Sequence, residues 1–193
     1  MSSTTNLPKA WIAYVSAYQV ERDYFECHEI LEEYWKECAE SRRPQPGWVG
    51  WIQLAVAQYH ERRGNVGGAI KMLTSALDIL RTFENWVDDL GINSGVLLKA
   101  IEMRLQLLES RKVKSIDELR TLFNDLDLPL NDLFLKYAAL EFYQKHYGSE
   151  GKWGIPSRDV DVFILNKHTL RDRSEVIEAR ERAVKIKKNT REQ

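Results

Sequence analysis

In YFECHEILEEYWKE, residues 24–37, His28 and Glu32 stand one helical turn apart, and Trp35 follows on the same side. An imidazole and a carboxylate at that spacing can share one divalent ion; alternatively the carboxylate orients and charges the imidazole. Glu29 can add a ligand or a base beside the pair. A second polar set lies in GWVGWIQLAVAQYHERRG, where Gln53 interrupts an apolar run and His60 shares its stripe seven residues on. A buried amide left unpaired costs about 1–3 kcal/mol, so Gln53 is expected to face His28 or Glu32. Counting outward from the loop between the two segments pairs Trp35 with Trp51, Glu32 with Gln53, and His28 with Ala57 to His60. The expected site is a cluster of His28, Glu32, Gln53 and His60 roofed by Trp35 and Trp51, with Glu29 and Tyr59 alongside. Its metal ligands would be His28, Glu32 and His60, a donor set for zinc, manganese or iron.

Helices must position these residues, because helical periodicity runs the length of the chain and strand signals are scarce. A first helix starts near Asn6 or Pro8 and covers AWIAYVSAYQVE. Asp23 with Glu26 reads as a capping box for a second helix that continues to about Ala39. After ESRRPQPG, a third helix ends at Gly64, and Asn65 can cap a fourth over VGGAIKMLTSALDILRTF. DDLGIN punctuates before SGVLLKAIEMRLQLLES, and Ser115 with Glu118 repeats the capping-box pattern ahead of IDELRTLFNDL. NDLFLKYAALEFYQKHY is helical, GSEGKWGIPSRD is a break, VDVFIL has strand composition without a partner, and a charged helix spans 174–189. The fold class is all-α: a compact bundle with a central antiparallel hairpin of the second and third helices, plus a helical C-terminal extension. The division falls into a core over 8–111 and an extension with a solvated tail over 112–193.

YFECHEILEEYW and GWIQLAVAQYHERRGNVGGAIKMLTSALDIL together resemble the domain of unknown function 309 family, over roughly residues 8–110. That family's His-x-x-x-Glu-x-x-Trp/Tyr motif is met by His28, Glu32 and Trp35. Its Gly-x-Ile-Gln element is met by Gly50 to Gln53, and its His-x-Arg-Arg-Gly-Asn element by His60, Arg62, Arg63, Gly64 and Asn65. The resemblance implies a compact all-helical protein and metal binding by the motif. It implies no reaction.

Composition narrows the classes. A net charge of −1 gives no global field towards nucleic acid or membrane, although the helix over 26–40 is acidic and RAVKIKKNTR at 182–191 is basic. The basic tail lacks interleaved aromatics, so it reads as solvated rather than RNA-binding. Cys27 and Cys38 would lie about 16 Å apart on one helix, too far to bridge, which suits a reducing cytoplasm. They read as packing residues. The N-terminus lacks a signal-peptide pattern, and the most apolar run is too short for a bilayer. His-Glu-Ile-Leu-Glu lacks the second histidine of a zinc protease, the lone tetratricopeptide-like hairpin around Ala69 and Ala76 has no second copy, and no phosphate loop or nucleophile elbow is present. Arg62 and Arg63 suit an anion or their own helix's carbonyls. Trp153, in a glycine-rich loop, is the expected interface tryptophan. Two readings follow. In one, an uncharacterised cytoplasmic protein binds a divalent metal or small ligand at the cluster. In the other, a non-catalytic interaction scaffold uses a helix groove for a protein partner or a second copy, and the cluster is a buried structural network.

Overall fold

The computed structural model describes residues 7–41, 45–110, 120–131 and 133–167. Within these residues the protein is all-helical, without a strand, and no helix is long and apolar enough to cross a membrane. The Ser115/Glu118 box, the helix over 174–189 and the division at 111–112 lie outside the described residues.

Local chemistry explains most boundaries. Helix α1 (Lys9–Ser16) starts after Pro8 and passes into a π-helical turn, Ala17–Glu21. Arg22 then takes a left-handed φ of 54° and stops the chain. Asp23 caps α2 (Tyr24–Glu40), its Oδ1 accepting from the Glu26 amide at 2.9 Å. The Glu26 carboxylate does not complete the box; it receives Lys167 Nζ instead. Helix α3 (Gly47–Arg62) ends in a Schellman motif. There the Asn65 amide donates to the His60 carbonyl, the Gly64 amide donates to Glu61, and Gly64 takes a φ of 78° that favours glycine. Asn65 turns at once to cap α4 (Val66–Thr82), accepting from the Gly68 amide at 3.0 Å. A short α5 (Glu84–Asp89) leads to α6 (Ser94–Ser110), and α7 (Phe134–Tyr147) follows the extended segment at 123–131. The VDVFIL segment is no strand. It forms the short helix α8 (Val162–Leu165), because Asp161 caps it and no neighbouring strand offers a ladder.

Phe25 meets Tyr59 and Tyr34 meets Trp48, so the start of α2 lies beside the end of α3 and the reverse. Helix α3 also packs on α4, where small residues set the approach. A Cβ on Gly50 would stand 2.9 Å from Leu80, and one on Gly47 would stand 2.3 Å from Trp86. The core centres on aromatics. Trp11 and Trp51 rings lie 4.7 Å apart, Trp11 Nε1 donates to the Leu90 carbonyl, and the Tyr14 hydroxyl donates to the Trp51 carbonyl. Such ring pairs add about 0.5–1.5 kcal/mol beyond the area they bury.

Residues 120–167 contribute to that same core: Leu126, Leu128, Leu135 and Ala139 are buried in it, and α7 packs on α1. Trp153 packs there too, partly buried with Lys136 over its ring. Gln58, fully buried in α3, ties the extended segment down by accepting from the Leu126 amide at 2.9 Å. The Ile92–Leu130 bridge and the Asn93 amide on the Pro129 carbonyl hold its other end.

Candidate functional site

The second turn of α2 brings three of the expected residues together. The helix buries Tyr24, Cys27 and Leu31, and Trp35 continues that stripe partly buried against the core. His28 and Glu32 therefore flank the buried stripe instead of forming it, and their side chains remain 29% and 37% exposed. His28 Nδ1 lies 3.2 Å from Glu29 Oε1, and its Nε2 lies 3.2 Å from Glu32 Oε2. One ligand atom from each of the three residues falls within 4.8 Å of the others. Lys36 Nζ approaches Glu32 Oε1 at 2.8 Å. That hydrogen bond holds the Glu32 carboxyl below its ordinary range; burial opposes the shift and the imidazole adds to it.

The donor set fits a divalent ion. Ligand bonds of about 2.0–2.2 Å put two donors on one ion at most roughly 4.4 Å apart. Glu29 and Glu32 meet opposite nitrogens of the His28 ring, so sharing one ion requires the carboxylates to leave those contacts. One imidazole and two carboxylates suit zinc, manganese or iron(II), with the remaining positions open to water.

The other expected members lie elsewhere. His60 is at the end of α3, where its Nδ1 faces Asn65 Nδ2 at 3.1 Å, and it is not among the grouped ligand atoms. Asn65 Oδ1 is committed to the Gly68 amide, so Nδ2 donates and Nδ1 must be unprotonated. Gln53 reaches neither His28 nor Glu32: its Oε1 is buried without a hydrogen-bond partner. Trp51 belongs to the aromatic core rather than to a roof over the cluster. Cys27 is buried, its Sγ near the Tyr14 carbonyl, and both cysteines are free.

His60 gives the cap a pH dependence. Burial, with Arg63 nearby, lowers its pKa below the ordinary value. A depressed histidine contributes stability that is present above the unfolded value of about 6.5 and is lost as pH falls through the folded one. His60→Gln, which keeps an acceptor for Asn65, should lose less stability than the wild type between about pH 7.5 and pH 5.5. Urea midpoints of both proteins at the two pH values measure this, and parallel losses would exclude His60 as the titrating group.

A second constellation gave no signal in the sequence beyond the arginines near Gly64. Arg22, 1% exposed, spans the turn before α2. Its Nε donates to the Ile155 carbonyl at 2.7 Å, its Nη1 to Gln19 Oε1 at 2.9 Å and its Nη2 to Asp127 at 2.5 Å. Asp125 accepts from the Tyr24 hydroxyl, the Ser157 amide and the Ser157 hydroxyl. Arg62 does not turn back on its own helix. It donates from Nη1 to the Arg22 carbonyl at 2.7 Å and stacks over Tyr24 and Tyr59. A cavity of about 640 Å³ opens beside this network, and none of its lining residues belongs to the His28 cluster.

A protein-family model described as Domain of unknown function (DUF309) matches residues 11–72, which include His28, Glu32 and Trp35. An uncharacterized protein YpuF of Bacillus subtilis (strain 168) is 39% identical over 186 residues, covering 96% of this chain and 99% of the relative. The chain belongs to the DUF309 family. No solved structure matches it significantly. The family description carries no activity, so any function for this DUF309 member must be argued from its side chains.

Proposed function

We propose that this protein is a cytoplasmic helical protein that binds a divalent cation through His28, Glu29 and Glu32, with water completing the coordination. One observation carries the reading: three ligand atoms lie within 4.8 Å of one another on a half-exposed face of a capped helix. Access matters here, because a purely internal network would be sealed. The ion must replace the contacts of His28 with the two carboxylates and compete with Lys36 for Glu32. The rival reading is an interaction scaffold in which the cluster is only ion pairing. It is favoured by the same contacts, since the two ring nitrogens of His28 each meet a carboxylate and Lys36 meets the second one.

Metal analysis of tag-free protein, followed by thermal-shift titration with zinc, manganese and iron(II), separates the two. One equivalent of metal is expected, together with a stabilisation approaching about 2.7 kcal/mol at one hundred times Kd. Both should be lost in His28→Ala, and Lys36→Met should tighten binding by removing the competitor. Protein without metal that shows no shift with any of the three ions would leave the cluster as ion pairing.

A further inference from the structure

We propose that the cavity beside the Arg22–Asp125 network is a binding site for a small organic molecule carrying a phosphate. Its volume of about 640 Å³ lies in the range of small-molecule sites. Four guanidinium groups line it, those of Arg62, Arg63, Arg120 and Arg158, against a single carboxylate, Asp125. That carboxylate is already engaged by Tyr24 and Ser157, with Arg22 Nε 3.9 Å away.

Arg62 carries the argument. It is 7% exposed, and no carboxylate lies within ion-pair distance of it among the described residues. Its Nη1 is held by the Arg22 carbonyl and, at 3.5 Å, the Ser157 hydroxyl, its Nη2 makes one long contact of 3.4 Å with the Ile164 carbonyl, and its Nε is buried with no hydrogen-bond partner. The nearby Asp23 carboxylate is occupied by the Glu26 amide and Lys167. Burial accordingly lowers the Arg62 pKa. A buried cation with an orphaned donor is costly unless an acceptor of opposite charge meets it. The two tyrosine rings fix the guanidinium plane, as bidentate recognition of a tetrahedral oxyanion requires. Arg120 and Arg158, both exposed, bring the same sign of charge to the solvent side, Arg158 with only a screened contact of 4.0 Å to Asp159, so an anion is drawn inward towards Arg62. A single phosphate group matches this better than a polymer, because the buried Arg62 lines the cavity and the chain's net charge is −1.

The test uses the full chain in metal-free buffer at constant ionic strength, so its outcome is independent of the cation site. Inorganic phosphate and glycerol phosphate are titrated against chloride while the arginine Nε–H resonances are followed. The Arg62 signal is identified by its disappearance in Arg62→Gln. Saturable movement of that signal with both phosphates and not with chloride is expected, with affinity falling about tenfold in Arg62→Gln. Should Arg62→Gln fail to fold, Arg158→Gln at the exposed edge keeps the test open: it should weaken binding several-fold with an unchanged melting temperature. Equal responses to phosphate and chloride, or undiminished phosphate binding in both variants, would overturn the proposal. So would a short single-stranded RNA that binds where inorganic phosphate does not, which would make the arginines a polyanion surface.

Discussion

Replacing Arg22 by methionine lowers the stability of the fold by about 3 kcal/mol, the low end of what breaking a buried ion pair costs. Methionine keeps an aliphatic stem in the same space, so the loss reports on the guanidinium. The side chain joins pieces far apart in sequence: the π-helical turn through Gln19, the 155 backbone through Ile155, and the extended segment through Asp125 and Asp127. These partners do not count equally. Asp127 is 62% exposed, so its short contact with Arg22 adds little after solvent screening. Asp125 is 10% exposed, and it would keep only the neutral donors of Tyr24 and Ser157. Asp125→Asn should therefore recover part of the loss in the Arg22→Met background. Urea unfolding of the three variants measures this, and amide exchange at Gly154, whose N–H donates to the Gln19 carbonyl, reports whether the 154–157 segment loosens. A loss under about 1 kcal/mol would mean that the tyrosine and serine donors suffice for Asp125.

Arg104→Met should cost a comparable amount, about 3 kcal/mol. Its Nη1 lies 2.9 Å from Glu61 Oε1, and the two side chains are 12% and 1% exposed. The carboxylate is on α3 and the guanidinium on α6, so removing the guanidinium takes a hydrogen-bonded cation away from a buried carboxylate. Removing both charges is different. In Glu61→Met with Arg104→Met the desolvation cost of both ions disappears, and stability should return to within about 1 kcal/mol of the wild type. The double-mutant cycle distinguishes a pair that stabilises the fold from one that only tolerates burial. A double variant as unstable as Arg104→Met alone would show that packing at these positions, and not the charge pair, is what matters.

The parts of this protein legible from its sequence are those with local causes. Asp23, Gly64 and Asn65 act on backbone groups within five residues of themselves, so their types announced the start of α2, the end of α3 and the start of α4. The close spacing of His28, Glu29 and Glu32 is likewise a property of one helix, and the three do meet. VDVFIL misled because strand-forming residues need a partner strand to express that preference, and Asp161 offered a helical cap instead.

Membership of an all-helical fold, its caps and the His28 triad were thus determined by the sequence alone, since periodicity and spacing within a helix require no knowledge of what packs against it. Tertiary structure decided which stripe of α2 turns inward, so Tyr24, Cys27 and Leu31 are buried while His28 stays at the edge. It also decided that Gln58 rather than Gln53 anchors a distant strand-like segment, and that His60 serves a helix cap. Nothing in the local sequence marks Arg22, and Arg62 stands out only by its place near Gly64. Several of their partners, Ile155, Asp127 and Ser157, lie 95 to 133 residues away, where no short-range pattern reaches. Burial and counter-charge are set by the elements that converge on a residue, and that convergence exists only once the chain has folded.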